Sequence, residues 1–401
     1  MNHIFIVGSH GYTNSYGGWE TLVKGMADNW VDANSVLYVT EVVDSDEKPE
    51  HEIVNNVNCI RIKVKTKGSL QMVIANAKFL NRFNKYLKHY SLEKKDNVVL
   101  YVLGQRVGFL FFLKRNFFKK KGITIVKNSD GMGWKRQKYN FIEKMYSNID
   151  DWFFNNFVMD YLVADAQAML TAYKNERLKA RRRVLNTRVI YYGTNEAPQL
   201  PGEMPSHVQT FFKTNNIEKD SYYLIINRFV PENSYELILK EFMESNTKCS
   251  FVVVSNQSKE KKYYKRLQKK INFESDKRIK LVGSIYDKEL LQYLRQYARG
   301  YINGHTVGGT NPGLLEALAT TNVNLIRDCS FSREGAGDTG FYFDYNHPLS
   351  QLIDQIDSMP LDKRIAIGVK AKERMKNSFS WEYVNRQYVE LFNEIAKNRG
   401  I

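Results

Sequence analysis

The chain alternates, twice over, between short apolar runs and segments with helical spacing. No other feature restricts the fold of its 401 residues as much. The first run, HIFIVG, is continuously apolar and ends in glycine, the pattern of a strand buried on both faces of a parallel sheet. SVLYVTEVV, NCIRIKV, NVVLYVLG, GITIVKNSDG, YLVADA and RVIYYG repeat it. Helical stretches such as TLVKGMADNWV and SLQMVIANAKFLNRFNKYLKHY lie between them. Alternation of this kind predicts a doubly wound α/β sheet.

Around residues 194–220 the alternation stops. TNEAPQLPGEMPSH carries three of the eight prolines and no periodicity. It then restarts with YYLIINRFV, a helix over SYELILKEFMES, CSFVVVSN, IKLVGSI, GYING and NVNLIRD. The expected organisation is a first domain over 1–198, a linker over 199–220, a second domain over 221–378 and a closing helix over 379–401 packing across the junction. Two Rossmann-like domains facing one another would leave a cleft between them, with ligands held outside the C-terminal ends of the strands.

A net charge of +16 favours polyanionic partners: nucleic acid, anionic lipid or phosphorylated substrates. Cys59, Cys249 and Cys329 lie far apart without CxxC spacing, which argues against a disulfide framework or a zinc site and for a reducing cytoplasm. The N-terminus lacks the charged region and cleavage site of a signal peptide. No apolar stretch approaches the roughly 18–20 residues that span a bilayer. The expectation is a protein in solution, or one resting on a membrane without crossing it.

Several strand ends carry chemistry. In GHTVGGTNPGLLEAL, Asn311 is a good helix N-cap and Pro312 suits the first helical turn. Free amides there, beside Gly308 and Gly309, can receive an anion, and Glu316 can accept two ribose hydroxyls. The same residues also describe an ordinary capped helix with a solvated carboxylate. Arg228, at the end of YYLIIN, can fork onto a diphosphate or lie idle on the surface. VGSHGYTNSYGGWETLV resembles a phosphate loop but matches neither G-x-G-x-x-G nor the Walker pattern. Gly8, Gly11, Gly17 and Gly18 allow a tight loop, Glu20 falls in the first turn of the next helix, and Glu41 is a weak ribose candidate.

Asp130 ends a strand amid Lys127, Lys135 and Arg136, which would keep it ionised; an Asp-Gly turn is the plainer meaning. Asp165 reads first as a helix N-cap and then as a site residue, and Tyr191 and Tyr192 precede Gly193 at another strand end. Asp44-Ser45-Asp46 is a D-x-D within a hydrophilic run and reads as a solvated loop rather than a metal site. VGFLFFLKRNFFKKKG and YKNERLKARRRVLNTR mix Phe with Lys and Arg, which suits an anionic bilayer surface as well as a core helix with a solvated basic end. None of the usual nucleic-acid modules is present, so nucleic acid is not an expected partner.

VGSHGYTNSYGGWETLV, NSDGMGWKRQKY, NRFVPENSYELIL and HTVGGTNPGLLEAL, in this order and followed by SFSWEYV, resemble bacterial rhamnosyltransferases of glycosyltransferase family 4, whose first domain carries Y-G-G-[FW]-E-T. The resemblance implies a GT-B fold and a nucleotide-sugar donor in the second domain, with dTDP-L-rhamnose as the specific expectation and a UDP-hexose as the alternative. It implies a lipid-diphosphate-linked GlcNAc or glucose acceptor on the first domain, retention at the anomeric carbon, no metal or other cofactor, and a place on the inner face of the cell membrane. A basic membrane- or nucleic-acid-binding module without catalysis is the competing class.

By the same resemblance, Arg228 contacts the donor diphosphate and Glu316 is the second Glu of a Glu-x7-Glu element. The first falls at Gly308, and a Lys common in the wider family falls near Asn233. Donor binding is expected from Gly17, Gly18, Arg228, Gly309, Thr310, Asn311 and Glu316, and acceptor binding from Glu20, Asp130, Asp165 and Tyr192. Asp130, Arg228 and His305 are the expected catalytic set. His305 either reaches the sugar or phosphate or is simply packed.

Overall fold

The computed structural model describes residues 1–13, 17–45, 49–103, 107–129, 141–178, 186–198, 200 and 203–400. It comprises two compact units, Met1–Gly193 with Trp381–Ile401, and Thr194–Ser380.

The first unit is built on β1 (Asn2–Val7), β2 (Ser35–Val43), β3 (His51–Val54), β4 (Val57–Lys63), β5 (Asn97–Val102), β6 (Thr124–Asn128), β7 (Tyr161–Ala164) and β8 (Asn186–Val189). Their order in the sheet is β3-β4-β2-β1-β5-β6-β7-β8, parallel except for β3 against β4. The order reverses beside β1, which pairs with β2 on one side and β5 on the other. β1 and β5 are buried at every residue, which is why both read as unbroken apolar runs. Their polar first residues satisfy each other: Asn97 Nδ2 donates to Asn2 Oδ1 at 2.8 Å, and Asn2 Nδ2 to Asn393 Oδ1 at 2.8 Å.

That last bond places the closing helix, Trp381–Asn398, in the first unit. Tyr388 and Tyr101 hydroxyls meet at 2.8 Å, and Asn385 Nδ2 donates to Met26 O at 3.1 Å. Trp381 seats its indole on Gly25 and Gly193, where any Cβ would overlap its rings. The expected boundaries therefore move. The first unit's main stretch ends at Gly193 rather than 198, and the second runs to Ser380.

The segment 199–220, read as a linker, contains the helix Ser206–Thr214. Val208 and Phe212 on it, with Ile217, lie in the core of the second unit. Three prolines hid a helix that begins directly after one of them, Pro205.

The second unit carries β9 (Tyr222–Ile226), β10 (Ser250–Val254), β11 (Ile279–Gly283), β12 (Gly300–Asn303), β13 (Asn324–Arg327) and β14 (Phe341–Phe343). All are parallel, in the order β11-β10-β9-β12-β13-β14. Side chains alternate across the sheet into two cores. Tyr223, Ile225, Phe251, Val253, Ile302 and Leu325 enter one, and Tyr222, Leu224, Val252, Val254 and Tyr301 the other. The chain order 3-2-1-4-5-6 puts the reversal between β9 and β12, and ligands of such sheets bind outside the C-terminal ends of the strands at that point. Among the described residues no helix is long and apolar enough to cross a membrane.

Candidate functional site

At the reversal in the second unit, the loops after β9 and β12 are stitched into one surface. Thr306 N and Oγ1 both donate to Glu232 O at 3.0 Å, and Ser234 Oγ donates to Gly304 O at 2.8 Å. The two loops run so close that a Cβ on Gly304 would overlap the carbonyl of Asn233. Arg228, the second residue beyond β9, is exposed, and its guanidinium has no hydrogen-bond or ion-pair partner among the described residues. An unbonded guanidinium at a strand end is available to an anion.

Asn233 fixes this corner. It is buried, and its Nδ2 donates to Arg228 O at 2.7 Å. A carbonyl can only accept, so the amide orientation is determined and Oδ1 faces the other way, 2.9 Å from His305 Nδ1. That oxygen can only accept in turn, so His305 carries a proton on Nδ1. In the neutral ring Nε2 is then the basic nitrogen. It points to the glycine turn, 3.4 Å from where a Gly308 Cβ would stand. His305 is thus oriented rather than merely packed. Its carbonyl also accepts from Cys329 Sγ at 3.6 Å, and burial raises that thiol's pKa.

Gly308 has φ 129°, a conformation that L side chains rarely adopt, and it delivers the chain through Gly309 and Thr310 to the helix Pro312–Thr320. The sequence places the start of that helix correctly. Asn311 is its N-cap, with Oδ1 accepting from Leu314 N at 3.3 Å, and Pro312 opens it. Pro312 has no N–H, and Asn311 holds Leu314 N and Leu315 N, so among the described residues Gly313 N is the first-turn amide open to an anion.

Glu316 lies on the same helix, half-exposed, with one oxygen held by Arg295. Arg295 is buried, and its Nε has no partner among the described residues. Asn303, fully buried at the end of β12, has no partner for either amide atom there, and Asn227 Nδ2 after β9 has none. Buried polar groups without partners are costly and mark places where water or a ligand's polar atoms are expected.

The first unit gathers its candidates around the loop after β1. Glu20 lies in the first turn of the helix Gly18–Asp28, as read from the sequence, and Oε1 accepts from His10 N at 2.8 Å. Its other oxygen lies against Gly17. Tyr192, buried, brings its hydroxyl to 3.9 Å from a Gly18 Cβ position. Gly17, Gly18, Glu20 and Tyr192 therefore meet at one place.

Glu41, the weak ribose candidate, is occupied otherwise. It is buried, accepts from Thr13 N at 2.8 Å and from Arg61 Nε at 3.2 Å, and so braces the loop. Asp165 is buried one residue before the actual N-cap, Ala166, so the N-cap reading is corrected. Lys127 is buried with Asp151 Oδ1 at 2.9 Å, Asn155 Oδ1 at 3.0 Å and Tyr173 OH at 2.6 Å. Burial works against its charge, but Asp151 and Tyr173 outweigh burial and its pKa is raised. Asp130, Lys135, Arg136, Asp46 and Arg181–Arg183 lie outside the described residues.

Sequence reasoning missed the roles of Asn233, Arg295 and Asn303. Asn233 appeared only as the position where a family Lys is absent. Nothing in linear spacing announces that it bridges two loops 72 residues apart. Among the described residues, no group of three or more His, Cys, Asp or Glu is placed to hold a metal ion.

Residues 1–195 match a family described as Domain of unknown function (DUF1972). No curated protein matches the chain by sequence. Among solved structures, sucrose-phosphate synthase from Thermosynechococcus elongatus superposes with a TM-score of 0.76 at 15% identity, covering 98% of this chain and 99% of that one. The fold is GT-B. HepE of Anabaena in complex with UDP gives 0.67 at 14% identity, with 98% and 100% covered. An E. coli structure described as trehalose-6-phosphate bound with UDP-2-fluoro glucose gives 0.67 at 10% identity, with 98% and 99% covered. The two Rossmann-like units of this GT-B chain thus account for nearly its whole length.

Proposed function

We propose that the protein is a glycosyltransferase whose second unit binds a nucleoside diphosphate sugar at the reversal between β9 and β12. The observation that carries this reading is the pairing of Arg228, whose guanidinium has no partner among the described residues, with the glycine turn and Gly313 amide that open the helix Pro312–Thr320, on loops stitched to each other. Both hold fixed positive potential where a diphosphate would sit, and Glu316 offers its unpaired oxygen to a ribose. Neighbours of the same fold, HepE and the E. coli protein, were captured with UDP or a UDP-sugar.

The family resemblance sets the finer reading: L-rhamnose passes from dTDP-L-rhamnose to a sugar on a lipid diphosphate, with retention and without metal. The acceptor oxygen forms its bond to the anomeric carbon on the face from which the diphosphate leaves. The bonding pair of the breaking C–O bond goes to the diphosphate, and the acceptor's proton goes to a departing phosphate oxygen. Arg228 and the amides of Gly309, Thr310 and Asn311 stabilise the charge that develops there. His305 acts on the sugar or phosphate, and the resemblance assigns positioning of the acceptor to Asp130, which lies outside the described residues.

The test is incubation with dTDP-L-rhamnose and lipid-diphosphate GlcNAc or glucose, with NMR of the new linkage. The expected product has the donor's anomeric configuration. Competition between TDP and UDP distinguishes the dTDP-rhamnose donor from a UDP-hexose. Absence of transfer together with absence of binding by any sugar nucleotide would reject the reading.

A further inference from the structure

The helix Phe141–Phe157 has its polarity reversed. Its inward side carries Asp150, Asp151, Phe154 and Asn155, all buried. The two carboxylates have partners there: Asp151 holds Lys127, and Asp150 accepts from the amide of Gly108. Its outward side carries Phe141, Ile142, Met145, Ile149 and Trp152, each between 48% and 80% exposed. These recur at helical spacing and form one apolar stripe along a helix about 25 Å long. A contiguous exposed stripe of this size is unusual on a monomer and marks an interaction surface.

The stripe continues onto the neighbouring helix Gly108–Leu113. Phe153 contacts Phe109 and Phe112 at ring-centroid distances of 5.1 and 5.3 Å, and Phe157 contacts Phe112 at 5.0 Å. Phe109 and Leu113 on that helix are exposed. Beyond it come the basic residues. The Arg115 guanidinium lies 4.2 Å from the Phe112 ring, and Lys119, Lys120 and Lys121 are exposed on the helix Arg115–Lys121.

Apolar and tryptophan side chains flanked by Lys and Arg match the headgroup–acyl boundary of an anionic bilayer. A symmetric contact with a second copy would set the same basic residues against themselves. We infer that the outward face of the helix Phe141–Phe157, with the adjoining Phe109 and Leu113, is where the protein docks on an anionic lipid surface. This deepens the proposed function, in which the acceptor is lipid-borne. It also extends the contact from the Phe-Lys segment singled out in the sequence, which holds Phe109 and Leu113, to the helix Phe141–Phe157.

The test is cosedimentation of the full chain with phosphatidylcholine vesicles, with and without phosphatidylglycerol. The wild type is expected to partition onto the phosphatidylglycerol vesicles. Ile149→Glu with Trp152→Glu should weaken partitioning about tenfold or more, with an unchanged circular dichroism spectrum because both positions are exposed. Leu113→Glu, on the neighbouring helix, is an independent variant expected to act in the same direction. The inference is overturned if these variants bind as the wild type does, or if the wild type stays in the supernatant with both vesicle types. A wild-type dimer that Ile149→Glu dissociates, without vesicle binding, overturns it in favour of a second copy. No sugar enters the assay, so its outcome is separate from that of the transfer assay.

Discussion

Asn233 Oδ1 lies 2.9 Å from Nδ1 of His305, and the orientation of that amide is dictated by the carbonyl of Arg228 on its other side. Asn233→Ala removes both bonds. The imidazole then loses the bond that sets its tautomer and helps aim Nε2 at the glycine turn. The expected result is a fall in kcat of about tenfold, corresponding to about 1–1.5 kcal/mol for one lost hydrogen bond, with KM for the donor changing less. A merely packed His305 would leave the pH–kcat profile in place, whereas an oriented one shifts it in Asn233→Ala. Steady-state kinetics from pH 5.5 to 8.5 decide between them.

Glu316 and Arg295 form a second coupled pair. Glu316→Ala is expected to weaken donor binding and also to lower Tm, because the buried guanidinium of Arg295 loses its partner. Adding Arg295→Met should restore Tm without restoring donor affinity. Calorimetric titration with nucleoside diphosphate, beside thermal melts of the three proteins, separates the two effects. Full recovery of affinity in the double variant would remove Glu316 from the site.

The closing helix depends on Trp381, whose indole rests on Gly25 and Gly193. Trp381→Ala leaves that space unfilled and is expected to cost about 3–5 kcal/mol. Hydrogen exchange should show the loss in the helices Gly18–Asp28 and Trp381–Asn398, not in the second unit. Uniform loss of protection over both units would contradict the assignment of this helix to the first.

Burial holds His3 and His51 below the usual imidazole range, and for His51 the neighbouring His89 ring, stacked at 4.0 Å between centroids, adds to the effect. With a depressed pKa in the folded state, the unfolded chain takes up protons first as pH falls below about 6.5. This contribution is therefore constant above that value, and stability declines as pH falls below it. Urea midpoints at pH 7.5 and 5.5 should differ, and His51→Gln should reduce the difference. Equal differences for wild type and variant would exclude His51 as a source.

The sequence was informative where the signal is local. HIFIVG and YYLIIN read as buried parallel strands because both faces of β1 and β9 are covered. The start of the helix Pro312–Thr320 was legible because Asn and Pro at a cap act through their own backbone geometry. What escaped was non-local. Glu41 bracing Thr13, Asn233 bridging to His305 and Asn2 reaching Asn393 are pairings across 28, 72 and 391 residues. The helix Ser206–Thr214 was lost to its prolines. The outward stripe of Phe141–Phe157 went unread because apolar residues at helical spacing ordinarily mean core.

The central claim is that Arg228 holds the donor's diphosphate as it departs. Rates of transfer by Arg228→Ala, and donor affinity by calorimetric titration, test it most directly. The predicted result is a loss of about 10²–10³ in kcat, with weaker binding of nucleoside diphosphate and Tm within about a degree of the parent, since the side chain is exposed and has no partner among the described residues. Transfer at the parent's rate, with unchanged affinity, would contradict the account.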